Sequence, residues 1–247
     1  MRRRDALIIG GAMAVALAIP PILRRIPSDF DFQPLEGFDG FRRLVSGPVS
    51  GGPDPFVGLI ARIPDQAPIY EETLKRPCLS LFGPLGWGDD LPIAIFSDFN
   101  CPYCQVLEAR LIDLRDSGAP IRLIWHEMPL LGPSSTRYAR AVLAARFLGK
   151  EDAARARLKS LPLRPGPVAL SELAEALDLL PDMLQREFDG PRVTKALAAS
   201  LALGARLGIP GTPGTVVGRT LVIGAIKDAD LNALIALERD TPQTVCA

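Results

Sequence analysis

Leu91-Pro92-Ile93-Ala94-Ile95-Phe96-Ser97-Asp98-Phe99-Asn100-Cys101-Pro102-Tyr103-Cys104 is the stretch from which the fold can be read. Its first seven residues form a nearly continuous apolar run between Asp89-Asp90 and Asn100, the pattern of a strand buried on both faces. Cys101 to about Ser117 then reads as a helix with Val106, Leu107, Leu111 and Leu114 on one face, stopped by Gly118-Ala119-Pro120. The cysteine pair thus sits where a central strand hands over to its helix. A thiol at that point faces unpaired backbone N–H groups and the positive end of the helix dipole, which favour thiolate over thiol. Cysteines so placed have pKa values lowered from about 8.5 to roughly 3.5–7.5. Cys104 lies almost one turn on, so its sulfur can close a disulfide with Cys101 or attack a mixed disulfide formed there. Pro102 suits the first helical turn, where a missing N–H costs nothing.

Working outward, Ile121-Arg122-Leu123-Ile124-Trp125 alternates loosely and reads as a second strand. A strand, a helix and a strand of these lengths make a βαβ unit with parallel strands. An all-helical stretch follows. Ser134 or Ser135 is expected to cap a helix carrying Tyr138, Ala141, Val142, Ala145 and Leu148, followed by a helix around Asp152–Leu161. Ser171 is expected to cap the next, with Leu173, Leu177 and Leu180; Pro181 starts another with Leu184 and Phe188. Pro191 opens the last, closed by Gly208. Thr215-Val216-Val217 and Thr220-Leu221-Val222-Ile223 then flank Gly218-Arg219, a two-residue hairpin. Asp228 or Asp230 is expected to cap a terminal helix with Leu231, Leu234, Ile235 and Leu237. The order is β-α-β, helices, β-β-α.

The front of the chain differs in kind. Met1-Arg2-Arg3-Arg4 precedes an apolar run from Ala6 to Ile19, followed by Pro20-Pro21 and Arg24-Arg25, the layout of an export signal. Fourteen helical residues span about 21 Å against a bilayer core of about 30 Å, so a cleaved signal and a retained membrane anchor are both open for residues 1–25. Residues 26–76 are dense in Pro and Gly and read as an irregular tether, with one short helix near Glu71–Lys75. Residues 77–247 form the folded domain, its helical insertion running from about 134 to 208. Across all 247 residues, 28 basic and 28 acidic side chains cancel, which excludes the electrostatic footprint of a nucleic-acid binder. With 48% hydrophobic residues and a mean hydropathy of +0.19, the chain can bury a core and is not a polytopic membrane protein.

The cysteine pair admits a redox site, a zinc site or two inert thiols. Zinc needs four ligands, and only Cys78, Cys246 and the single histidine, His126, remain to supply them. In an oxidising compartment Cys78 and Cys246 can also form a structural disulfide. His126 can be a general acid–base or a packed residue at a strand end. Trp87 and Trp125 read as core residues.

Phe96-Ser97-Asp98-Phe99-Asn100-Cys101-Pro102-Tyr103-Cys104 resembles the active site of the DsbA-like branch of the thioredoxin superfamily. Trp125-His126-Glu127-Met128-Pro129-Leu130-Leu131-Gly132-Pro133-Ser134-Ser135 resembles that branch's second strand and the entry to its helical insertion. Gly208-Ile209-Pro210-Gly211-Thr212-Pro213-Gly214-Thr215 resembles its cis-proline loop, and the likeness runs in order over about residues 91–238. The resemblance implies an α/β thioredoxin-like fold: a central mixed sheet, β-α-β then β-β-α, with an inserted helical subdomain. It implies a thiol–disulfide oxidoreductase with Cys101, Cys104 and a cis Pro213 as catalytic residues. Thr212 is then expected to offer an exposed backbone to an extended substrate segment, flanked by Pro102 and Tyr103. Asp98 and His126 are supporting candidates, Asp98 either orienting the loop, moving protons, capping or facing solvent. Ile95 stands where thioredoxin and the best-known DsbA proteins carry an acid that assists proton transfer at the second cysteine.

The expected activity is oxidation of dithiols in secreted proteins by a periplasmic, monomeric enzyme, exported or held at the inner membrane by its N-terminus. It would need a membrane or soluble redox partner, no metal, and no cofactor beyond the Cys101–Cys104 disulfide. The same site run in reverse is a reductase or isomerase. A thioredoxin-like module that binds without turnover is a third reading, and a metal carrier a fourth.

Overall fold

All seven residues of Leu91–Ser97 are buried, and this strand, β3, lies between a parallel and an antiparallel neighbour. The computed structural model describes residues 27–51, 75–84, 89–160, 163 and 166–241. Residues 1–25, the expected helix near Glu71–Lys75 (all but Lys75), Trp87 and Cys246 lie outside the described residues. No helix among the described residues is long and apolar enough to cross a membrane.

The remaining strands are β1 (Gln33–Pro34), β2 (Arg42–Val45), β4 (Ile121–Glu127), β5 (Gly214–Val217) and β6 (Thr220–Ile223). They form one mixed sheet in the order β1-β2-β6-β5-β3-β4. β3 and β4 are parallel, with Phe96 opposite His126, as a connection through the intervening helix allows. β5 and β6 are antiparallel about Gly218-Arg219, Gly218 taking the positive φ that such a turn needs. The helices are α1 (Pro77–Phe82), α2 (Pro102–Asp116), α3 (Pro133–Phe147), α4 (Glu151–Ser160), α5 (Pro167–Ala176), α6 (Pro181–Asp189), α7 (Pro191–Arg206) and α8 (Asp228–Arg239). Leu107 and Leu111 of α2, Leu203 of α7 and Leu231 and Leu234 of α8 pack with β3, β5 and β6 into one core. Tyr138, Val142, Leu158, Leu173, Leu184 and Val193 build a second core inside the helical insertion.

Residues 27–51 are not a tether. β2 pairs in parallel with β6 over Arg42–Val45, and Phe30 and Phe32 pack against the main core. Ser28 donates its N–H and hydroxyl to the Asp230 carboxylate at 2.6 and 3.2 Å. Among the described residues, those from Ser28 to Ser50 therefore belong to the same folded unit as residues 77–241.

The expected serine and aspartate caps also give way. Gly132 and Gly166 precede Pro133 and Pro167, which start α3 and α5 without a side-chain cap, leaving Ser135 and Ser171 inside those helices. Lys227 is the residue before α8, again uncapped by a side chain, and Asp230 is spent on Ser28. Leu180 is exposed, because it is the extended residue leading into α6.

Candidate active site

The end of β3 and the start of α2 are joined by a turn organised from one carboxylate. Buried Asp98 accepts four hydrogen bonds. The N–H groups of Leu130 and Leu131 donate to Oδ2 at 2.7 and 2.9 Å. The Asn100 N–H and the Ser135 hydroxyl donate to Oδ1 at 2.8 and 2.6 Å. Asp98 thus ties the cysteine loop to the entrance of the helical insertion, and of its four candidate roles the geometry gives it loop orientation. The Asn100 amide, donating to Ser135 Oγ at 2.8 Å, extends the same network.

Cys101 takes the N-cap position of α2, extended at φ −81° and ψ 115°, with Pro102 in the first turn. Its sulfur accepts the Cys104 N–H at 3.2 Å, the bond a serine or aspartate makes in an ordinary cap. Both sulfurs are free thiols and both residues are buried. The Cys104 thiol proton, shared toward the Cys101 sulfur, lowers the Cys101 thiol most. The Thr212 and Ser50 hydroxyls and the Cys104 N–H add to this against the opposing effect of burial, holding it at about 6 from an ordinary 9.0. Cys104 is pushed the other way, by burial first and then by the proton it shares with Cys101. The pair is therefore split into one sulfur that ionises readily and one that keeps its proton.

The third side of the site comes from β5. Its pairing with β3, Gly214 opposite Phe96, brings the preceding loop against the cysteine turn. The Thr212–Pro213 peptide bond is cis, and the Cys101 thiol donates to the Thr212 carbonyl at 3.4 Å. The Thr212 hydroxyl is buried without a hydrogen-bond partner, and its dipole near the two sulfurs favours their anions. The expectation of an exposed Thr212 backbone is corrected: Thr212 is 0% exposed. Its N–H donates to the Ser50 carbonyl at 2.8 Å and its C=O accepts the Ser50 N–H at 2.7 Å. Pro102 and Tyr103 remain exposed at the rim.

His126 is a packed residue. Its ring stacks on Phe96 with centroids 4.6 Å apart, and its Nε2–H donates to the Leu81 carbonyl at 2.9 Å. Burial lowers it to about 4, so it is neutral at physiological pH.

Sequence reading missed a buried ionic cluster behind the site. Glu108, one turn beyond Cys104 on α2, accepts the Ser97 hydroxyl and pairs with Lys159 Nζ at 2.9 Å. Arg155, 2% exposed, pairs with Glu127 and lies over the Trp125 ring at 4.2 Å. Glu127 rises to about 7 because burial outweighs the attraction of Arg155 and Arg146. The one available signal was the position of Glu108 on the buried face of α2 beside Leu107 and Leu111.

Residues 92–236 match the DSBA-like thioredoxin domain family. A thioredoxin-like oxidoreductase from Silicibacter pomeroyi DSS-3 is 34% identical, with a TM-score of 0.59 over 66% of this chain and 98% of that one. The thiol-disulfide exchange protein alpha-DsbA2 from Wolbachia pipientis has the same fold at 19% identity, with a TM-score of 0.57 over 71% of this chain and 99% of its own. The oxidoreductase DsbA from Xylella fastidiosa likewise superposes at 24% identity, with a TM-score of 0.53, over 62% and 89% of the two chains. No curated protein matches the chain.

Proposed function

The chain belongs to the DSBA-like thioredoxin family, and from that premise we propose that this thiol–disulfide oxidoreductase works as an oxidase of exported proteins. The observation that supports this reading is the split between its sulfurs: Cys101 lowered to about 6, Cys104 raised. A stabilised Cys101 thiolate stabilises the dithiol form, so the disulfide form is ready to accept electrons.

In the oxidising cycle a substrate thiolate attacks Cys101 Sγ of the Cys101–Cys104 disulfide. The S–S bond breaks, and its electron pair leaves on Cys104, which takes up a proton as its raised pKa favours. A second substrate thiolate then attacks the substrate sulfur of the mixed disulfide and expels Cys101 as thiolate. The substrate gains a disulfide and the enzyme holds two more electrons. A membrane or soluble partner must remove them, and the cycle needs no cofactor besides the cysteine pair. Thr212 and Pro213, beside Cys101, are proposed to align the substrate backbone, with Pro102 and Tyr103 at the rim. The signal-like residues 1–25 support export to the periplasm, with cleavage or inner-membrane retention both compatible, and the enzyme is proposed to act as a monomer.

Rapid alkylation of thiols in living cells tests the direction. An oxidase keeps Cys101 and Cys104 mostly as disulfide; a mostly dithiol population makes the protein a reductase or isomerase. Cys101→Ser abolishes turnover, whereas a binding module would keep its activity.

A further inference from the structure

The backbone site proposed for substrate is occupied by the protein itself. Beyond β2 the chain continues alongside β6 and the loop after it, held by a run of backbone hydrogen bonds. The Ser46 N–H donates to the Ile223 carbonyl and the Ala225 N–H to the Pro48 carbonyl, both at 3.0 Å. Ser50 and Thr212 then exchange both of their bonds as an antiparallel pair. The fit leaves no slack. A Cβ on Gly47 would meet the Ala225 carbonyl oxygen at 2.3 Å, and one on Gly211 would meet the Ser50 carbonyl oxygen at 2.7 Å. Beneath this segment Cys101 is 0% exposed. The Ser50 hydroxyl is close enough to the Cys101 sulfur to help hold it as an anion.

An extended segment that pairs with the cis-proline loop and sets a side chain beside Cys101 has the form of a bound substrate. Serine differs from cysteine by oxygen for sulfur, so Ser50 offers the shape of a substrate residue but cannot form a disulfide. We infer that Val49-Ser50-Gly51 is a built-in substrate mimic, an autoinhibitory strap that must leave Thr212 before a substrate thiol can reach Cys101. The inference rests on the reading of Thr212 as the substrate's backbone site.

A peptide that displaces the strap replaces its two backbone bonds one for one, whereas a small thiol replaces neither. Apparent affinity for any substrate is scaled by the fraction of molecules with the strap lifted. The strap therefore selects for extended, cysteine-bearing protein segments over small thiols.

The test is the pH profile of iodoacetamide alkylation of Cys101 in the reduced full-length protein. The profile separates access, read from the plateau where all of Cys101 is thiolate, from ionisation, read from the midpoint. Ser50→Pro removes the N–H that Thr212 accepts, and its plateau rises about tenfold, the population shift expected from losing one or two hydrogen bonds. Ser50→Ala keeps the backbone pair, so its midpoint rises while its plateau stays. Gly47→Val, which forces the segment away from Ala225 without touching Ser50, raises the plateau as Ser50→Pro does. An unchanged plateau in either displaced variant that folds overturns the strap. Oxidation of a dithiol peptide is measured in parallel. If the plateau rises but no protein oxidises the peptide, the strap stands and the oxidase reading fails. If every protein oxidises the peptide equally and the plateau is flat, the reverse holds.

Discussion

Cys101 gathers the helix start, the Cys104 thiol and N–H, and the Thr212 and Ser50 hydroxyls around one sulfur, and this makes the stability of the reduced protein depend on pH. Its folded pKa is about 6 against an ordinary 9.0. Between those values the unfolded chain binds the Cys101 proton and the folded chain does not, so the dithiol form gains stability as pH rises. The contribution is complete above the unfolded value and is lost as pH falls through about 6. Urea midpoints of the reduced protein should climb from pH 6 to 9 relative to Cys101→Ala, and parallel curves for the two would contradict the assignment. Much of this was legible in the sequence, since a buried strand followed by Cys101 and Pro102 reads as a thiol at a helix N-terminus. The Ser50 hydroxyl was not: nothing local in Val49-Ser50-Gly51 says that it will lie near Cys101, far along the chain.

Between elements, the βαβ unit and the Gly218-Arg219 hairpin followed from hydrophobic pattern and turn chemistry, both local signals. β2 did not. Of Arg42-Arg43-Leu44-Val45 only Leu44 is buried, and the strand exists because it pairs with β6, far along the chain. Helix starts were misassigned wherever Gly-Pro supplied the break that a serine cap was expected to give, as at Gly132-Pro133 and Gly166-Pro167. The Glu108–Glu127–Arg155 cluster was hidden for a different reason: these residues look like solvated charges until α2, β4 and α4 close over them. Arg155→Met should cost about 3–5 kcal/mol in urea unfolding at neutral pH, because it takes the close cation from buried Glu127. Glu127 rests at about 7 even with Arg155 present, so the loss should shrink at pH 5, where the carboxyl is neutral. A loss independent of pH would mean that Arg155 acts through packing on Trp125 alone.

Over the whole molecule, the sheet binds together parts of the chain that sequence reading had divided. Its order of β1-β2-β6-β5-β3-β4 places the earliest described strands beside the last pair. β1 is two residues long and includes Pro34, so it closes that side of the sheet with little backbone left to recruit a neighbour. The catalytic half and the helical insertion keep separate apolar cores, joined across the cysteine turn by Asp98 and Ser135. A protein expressed from Pro77 onward would retain every catalytic residue yet strip β6 of its parallel partner. The bare rim so created runs along Thr220–Ile223, three of whose four residues are buried in the intact fold. Such a truncation should elute from a sizing column as dimers or larger aggregates joined through that rim, and a monodisperse monomer would show that the early strands are dispensable cladding.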